Sequence, residues 1–496
     1  MFFRRFSIAL GLWAAMAAAR AEAEESNLWP AEVEQVDASG VASWSALGPL
    51  LFSRPGTAGE RVSGFRPIYL QRKTSDGVIA EYAVLYPLFV YRSYDEMYHW
   101  SFFELINRDA RKPGAPVNPV TEEQTFDIWP FYFSRNTGDP ATSYHGVFPI
   151  GGTIMNHLWN DQIKWVLFPL YVQTTKGGAT TTFTVWPIIR STRGTSQGFG
   201  VWPLFGHLTR PGAFDRQFYL WPLIWNNTVQ PASDKPAGTP PTRQVGFLPF
   251  YTSQEGPESV SKAYLWPFFG YTDRPIPDHF HETRYFWPFL VQGHGDQRMV
   301  DRWGPFYTHS DIKGMDKTWI LWPLWRQARW IDGKVAQTKS QFAYFLYWKL
   351  EQRSTTNPAA APAAKTHFWP FISLWDNGAG RRQLQVLSPF EVFFPDNDEV
   401  RASWTPLFAL YRRDESPSGT RSSLLWDAIT WDHRPAEARS EFHLGPLLSV
   451  EKQFQARRVA VGNGLFGWKR GDDGRGWSFF WMEFPHKKDT VASTAR

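Results

Sequence analysis

Residues 183–224 read FTVWPIIRSTRGTSQGFGVWPLFGHLTRPGAFDRQFYLWPLI, and the reading of this stretch decides the fold. Trp-Pro occurs in it three times, each time between apolar residues: Val185-Trp186-Pro187-Ile188, Val201-Trp202-Pro203-Leu204 and Leu220-Trp221-Pro222-Leu223. Proline fixes its own φ and drives the preceding residue out of the helical region, so no helix passes through any copy. Between the copies lie Arg193-Gly194-Thr195-Ser196-Gln197-Gly198 and Arg210-Pro211-Gly212, which are turn formers.

The pattern extends along the chain. Full copies recur at Trp266-Pro267, Trp287-Pro288, Trp322-Pro323 and Trp369-Pro370, and looser ones keep the proline alone, as at Pro49, Pro87, Pro169 and Pro249. Successive prolines from Pro130 to Pro222 are 19, 20, 18, 16 and 19 residues apart. Where a proline is skipped the gap roughly doubles, to 43 between Pro87 and Pro130 and 47 between Pro323 and Pro370. With each unit taken as one strand and the proline as a bulge at constant height, the sequence predicts an all-β antiparallel up-and-down meander of about 22–24 strands.

Composition agrees. The 496 residues are 43% hydrophobic and 20% charged, which excludes wholesale disorder. The coincidence of 27 Trp and 40 Phe with 38 Pro favours strands and turns over helices. The absence of cysteine excludes a disulfide framework and a lipidated N-terminal cysteine. The net charge of +5 is small for this length, so no partner is indicated by bulk charge, nucleic acid included.

At the N-terminus, Arg4 and Arg5, the apolar run Phe6 to Ala19 and Ala21-Glu22-Ala23 read as a secretory signal spanning 1–23. Residues 24–496 then form a single β-repeat domain. Export, the missing cysteines, the aromatic strands and a last strand ending near Phe484 resemble outer-membrane barrels at the level of class. That resemblance implies closure as an outer-membrane-type β-barrel, located in the outer membrane and in contact with its lipid. The alternatives are a parallel β-solenoid or a soluble β meander in the periplasm. The long connections 108–123, 226–244 and 351–367 follow odd-numbered units, which places all three on one rim. Both faces of each unit are apolar for about seven residues, as in Phe183 to Ile189, which argues against a wide aqueous channel.

Chemistry-bearing residues are few. Gly462-Asn463-Gly464-Leu465-Phe466-Gly467 matches a dinucleotide fingerprint but lacks the helix that would hold a pyrophosphate, and Gly194 to Gly198 matches a nucleophile elbow but sits in a turn. His279 and His281, with His294 and His309 nearby, supply imidazoles without a complete ligand set, so no metal site is assigned. The carboxylates Glu104, Glu391 and Asp427 interrupt apolar runs and are the candidate interior binding residues. The regular tryptophans point to core or membrane-facing packing. The expectation is an exported protein without enzymatic activity or cofactor, a scaffold or conduit for hydrophobic molecules, the alternative being a soluble glycan- or lipid-binding module.

Overall fold

The computed structural model describes residues 25–36, 42–56, 59–115, 123–277, 279–395, 397–471, 474–480 and 482–486. The signal segment 1–23 and its cleavage site lie outside them. The chain is all-β and its strands pair antiparallel in an up-and-down meander. It forms two compact units. A central unit comprises Tyr91 to Tyr344, and a terminal unit comprises the residues up to Val90 and from Phe345 onward.

The strands number 46 among the described residues, twice the expected count, because the 19-residue period is a hairpin and not a strand. Phe214–Tyr219 runs to Leu220-Trp221-Pro222-Leu223, and Ile224–Val229 runs back. The Leu223 N–H donates to the Leu220 carbonyl at 2.7 Å, closing a four-residue turn with a cis Trp221-Pro222 bond at its third position. The sequence reading assumed an extended proline, and a cis proline reverses the chain instead. Proline's missing N–H costs the turn nothing here, since the turn is closed by the residue after it. Its carbonyl is still used: Trp221 N–H donates to Pro203 O and Trp186 N–H to Pro169 O, at 2.7 and 2.6 Å, so each turn bonds to the turn before it.

The opposite ends of the hairpins are mostly polar, with exposed Leu158-Trp159 an exception. Lys176-Gly177-Gly178-Ala179 is a two-residue turn with φ of +53° and +76° at its glycines, a backbone that matches the right-handed twist of the strands it joins. The Trp-Pro turns of a unit thus lie on one edge and the mostly polar connections on the other, cis Ile276-Pro277 among them. The long connections 226–244 and 351–367 both fall on a polar edge, as the hairpin period requires of any of them.

In the central unit 25 strands, from Met97–Phe102 to Val335–Phe342, each pair with the next. Cross-strand partners form one unbroken row from Ser101 through Trp165, Phe218 and Ala263 to Gln341. It lies next to the strand end at the proline turns, apart from a local bulge after Arg284. No member of this row is exposed, and it marks the inner face. Aromatic rings on it lie over neighbouring glycines: a Cβ at Gly246 would stand 2.2 Å from the Trp225 indole.

The terminal unit contains two runs of the same meander, from Glu25–Leu28 to Ile79–Val84 and from Tyr347–Ser354 to Met482–His486. They meet through their inner faces. The Asn27 amide donates to Asp427 O at 2.8 Å, and Arg66 Nε to Ala402 O at 2.6 Å. Between Arg382–Val386 and Tyr411–Ser416 the chain leaves the sheet for two short helices, Asp398–Ser403 and Thr405–Phe408. Asn397 starts the first by accepting from Val400 N–H, with Asp398 and Glu399 in the first turn. Ala402 of this helix then packs into the core of Phe52, Val62, Leu70, Ala83 and Val90.

Candidate functional site

The proline turns assemble a continuous apolar edge. Trp129, Trp221 and Phe306 at three of these turns are 61%, 51% and 66% exposed. The tryptophans therefore do not fill a core, one of the two roles their regular spacing suggested. The outer-face residues directly below the turns extend the edge downward. From Val201 the partners run Phe205, Tyr219, Ile224, Phe247, Tyr251 and Tyr264, and a second stretch runs Leu290, Trp303, Tyr307, Ile320, Trp325 and Phe342. Two residues further down the same face, the row reads Phe199, His207, Gln217, Asn226, Val245 and Ser253, so the band gives way to a mixed row. Soluble proteins rarely expose a contiguous apolar patch beyond a few hundred Å².

The terminal unit buries charge. Arg421 donates to both Glu25 oxygens at 3.4 Å and to Asp427 at 3.0 Å, and the Thr430 hydroxyl donates to Glu25 at 2.7 Å. Burial acts to raise the Glu25 pKa, but Arg421, His443 and the Thr430 hydroxyl together hold it below the usual carboxylate range. Asp432 is pushed up by burial despite Arg434 beside it. Arg54, desolvated and facing Arg412, is lowered to about 10. A cavity of about 230 Å³ is walled by Arg54, Arg66, Arg412, Asp414, Arg421 and Asp427. A second, of about 420 Å³, is walled by Arg54, Arg412, Glu391 and Arg401 among others.

Of the three carboxylates singled out by sequence, the structure brings two to this interior. Asp427 sits in a turn at φ +71° and is bonded by Arg421. Glu391, in the excursion before the first helix, accepts from Ser373 Oγ at 2.7 Å and Arg401 Nε at 3.2 Å. Neither lies within a strand. Glu104 is elsewhere: it occupies an exposed proline-free turn of the central unit at φ +55°, so the expectation that it lines an interior is corrected. The run Phe102-Phe103-Glu104-Leu105 resembles a strand only if the turn goes unrecognised.

Sequence reasoning missed Glu25, Glu441 and His443, whose ligand atoms lie within 4.8 Å of one another. Glu25 is more than 400 positions from the other two, and no local signal connects it to them. Arg421 bonds Glu25 and Arg439 bonds Glu441, so both carboxylates are balanced without a cation. The histidines flagged by sequence are each paired with an aspartate: His279 with Asp296 at 2.6 Å, His281 with Asp273, and His309 with Asp316 at 2.9 Å. Gly462 to Gly467 forms a hairpin turn, as does Gly194 to Gly198. No protein-family model matches the chain, and no curated protein matches it.

Proposed function

We propose that the chain is an exported, non-enzymatic β-repeat protein that works at an outer-membrane lipid surface, held there by the apolar turn edge, as a scaffold or conduit for hydrophobic molecules. The carrying observation is the band formed by the proline turns and the first outer row of the central unit. From turn tip to that row is about three residues, roughly 10 Å at about 3.3 Å each. This is the depth at which interfacial elements lie, about 5–10 Å, and a third of the ~30 Å hydrocarbon core. The row below is mixed, with His207, Gln217, Asn226 and Ser253 between Phe199 and Val245.

Two further features support insertion into one leaflet over a barrel that crosses both. Strands of 4 to 8 residues fall short of the roughly 9–11 that a tilted crossing needs. Outer-membrane strands also tilt by about 35–45°, which requires the register to stagger around the sheet. The inner row from Ser101 to Gln341 keeps its place beside the turns across 25 strands and accumulates no stagger. Burying apolar area contributes about 2.5 kcal/mol per 100 Å², so a modest share of each turn, repeated along the edge, suffices for firm attachment.

The test is flotation of the purified full chain with phosphatidylcholine vesicles, with acyl chains brominated near the headgroup or near the terminal methyl. Co-flotation and tryptophan quenching by the shallow bromines are expected, and Trp202→Ser/Trp221→Ser/Trp266→Ser should weaken both. A chain that stays monodisperse without detergent and does not float returns the reading to a soluble binding module. Quenching as strong by the deep bromines returns it to a spanning barrel.

A further inference from the structure

In the central unit, strand register sorts charge between the two faces of the sheet. Across the 18 strands from Tyr171–Lys176 to Val335–Phe342, the inner row nearest the turns carries Arg190, Arg284, Arg302 and Arg326. The next inner row carries Arg216, Lys317 and Lys339, and the third Lys176, Arg210, Arg274 and Arg298. Against these eleven cations the same strands present two inner carboxylates, Glu282, opposite Thr272, and Asp332, opposite Val335 at the polar end of its strand. None of the eleven is buried.

Most acids of these strands are on the other face and are engaged there. Asp215, Asp273, Asp301 and Asp316 contact His207, His281, His294 and His309, and Glu255 bonds Lys262. The inner arginines instead use rings and carbonyls. Arg190 lies over Phe218, Arg326 over Trp319, Arg284 donates to Tyr271 O, and Arg302 donates to Pro288 O. Arg284, Arg298 and Arg326 each keep an Nε–H without an acceptor. Hydroxyls and amides fill the middle inner row between the charges, at Thr174, Thr181, Thr192, Asn227, Gln244 and Ser261.

We propose that this face binds an acidic polysaccharide, an extended glycan whose carboxylate or phosphate groups sit on the arginine forks while its hydroxyls bond the intervening Thr, Ser, Asn and Gln side chains. Guanidinium is the side chain suited to planar, two-point recognition of either anion. The cations are spread evenly over rows spanning roughly 13 Å of strand and some 80 Å across strands, at about 3.3 Å per residue and about 4.8 Å per strand. A flat layer of lipid headgroups would meet one row, whereas a chain-like polyanion meets all three. No residue of the apolar edge takes part, so this inference stands independently of lipid attachment.

The test uses the full chain with two labelled probes, polygalacturonate and a phosphorylated mannan, and neutral dextran as control. Binding of at least one acidic probe at low salt, weakening steeply as salt rises, is expected, with none to dextran. Arg190→Gln/Arg302→Gln/Arg326→Gln should weaken it at least about tenfold, or about 1.4 kcal/mol. Should that triple fail to fold, Arg216→Gln/Lys317→Gln on the same face should still weaken binding severalfold. The outer-face set Arg193→Gln/Arg243→Gln/Arg329→Gln should leave it unchanged. Neither acidic probe binding, the outer-face set weakening binding as much as the inner, or duplex DNA or phosphatidylglycerol vesicles competing as well as the glycans would each overturn the proposal.

Discussion

In the terminal unit three inward arginines meet carboxylates, Arg421 with Glu25 and Asp427, Arg434 with Asp432, and Arg439 with Glu441 and Glu451, while Arg66 lies over Phe52 and donates to carbonyls. In the central unit Arg190, Arg302 and Arg326, on the inner row nearest the turns, meet phenyl rings, indoles and carbonyls. The same hairpin, repeated, thus yields two different interiors. In one, opposing runs of strands bring complementary charges together and the face is consumed by packing. In the other a single meander carries eleven cations and only two carboxylates on its inner face, most of its acids lying on the outer one. Paired buried charge ties a structure to one arrangement, while unneutralised charge leaves attraction to spare for something outside the chain.

The comparison breaks most readily at Glu25. Glu25→Gln leaves Arg421 and Asp427 in a buried site with one anion missing, and chemical denaturation should show a loss of about 3–5 kcal/mol. A loss below about 1 kcal/mol would mean that the terminal interior is not held by its ion pairs. Next in size is Gly246→Ala, whose methyl meets the Trp225 indole in the central inner row. Overpacking of this kind costs about 1–3 kcal/mol, and the same measurement should show it. An unchanged midpoint would mean that the ring has free room above the glycine.

The pH dependence sharpens the contrast. Glu25 has a folded pKa below its unfolded value of about 4.3, so its contribution is complete above that value and is lost as pH falls through the folded pKa. Asp432 acts in the opposite sense, and the informative quantity is the difference between wild type and Glu25→Gln, which should shrink as pH is lowered from 5 toward 3. A difference that stays constant would separate Glu25 from the acid response. The smallest effect belongs to Arg190→Gln. Burial lowers this arginine's pKa and no carboxylate opposes that, so losing its charge should change stability by less than about 1 kcal/mol by the same denaturation. A larger loss would reveal a counter-charge and erase the difference between the units.

Much of this architecture is legible in the sequence, and what is not has identifiable causes. The period of 19 between Pro130 and Pro149 and the turn formers at Arg193 to Gly198 and Arg210-Pro211-Gly212 point to an all-β antiparallel meander from local chemistry, with a parallel solenoid as the alternative. The strand count fails by a factor of two because a Trp-Pro pair reads the same whether its bond extends or reverses the chain, and Leu220 to Leu223 reverses it. That error conceals the charged faces. With Trp221-Pro222 inside a strand, inward and outward positions cannot be assigned, and a net charge of +5 hides Arg302 on one face from Asp301 on the other. The candidate carboxylates divide by the same logic. Asp427 and Glu391 reach an interior through contacts that run between distant segments, whereas Glu104 is placed by its own turn.

The slip-free register of the central meander also bears on how such a chain changes over time. Because every hairpin presents the same edge to the next, removing Leu204 to Pro222 would join Pro203 directly to Leu223, so that Val201 faces Ile224, Gly200 faces Trp225 and Phe199 faces Asn226, while the pairings outside this new hairpin stay as they were. Gain or loss of one duplicated segment is therefore nearly silent in each surviving contact, while the length of the aromatic edge and of the cationic face moves in fixed steps. A lineage could tune reach and capacity by copy number, the way a ruler is lengthened by adding identical divisions.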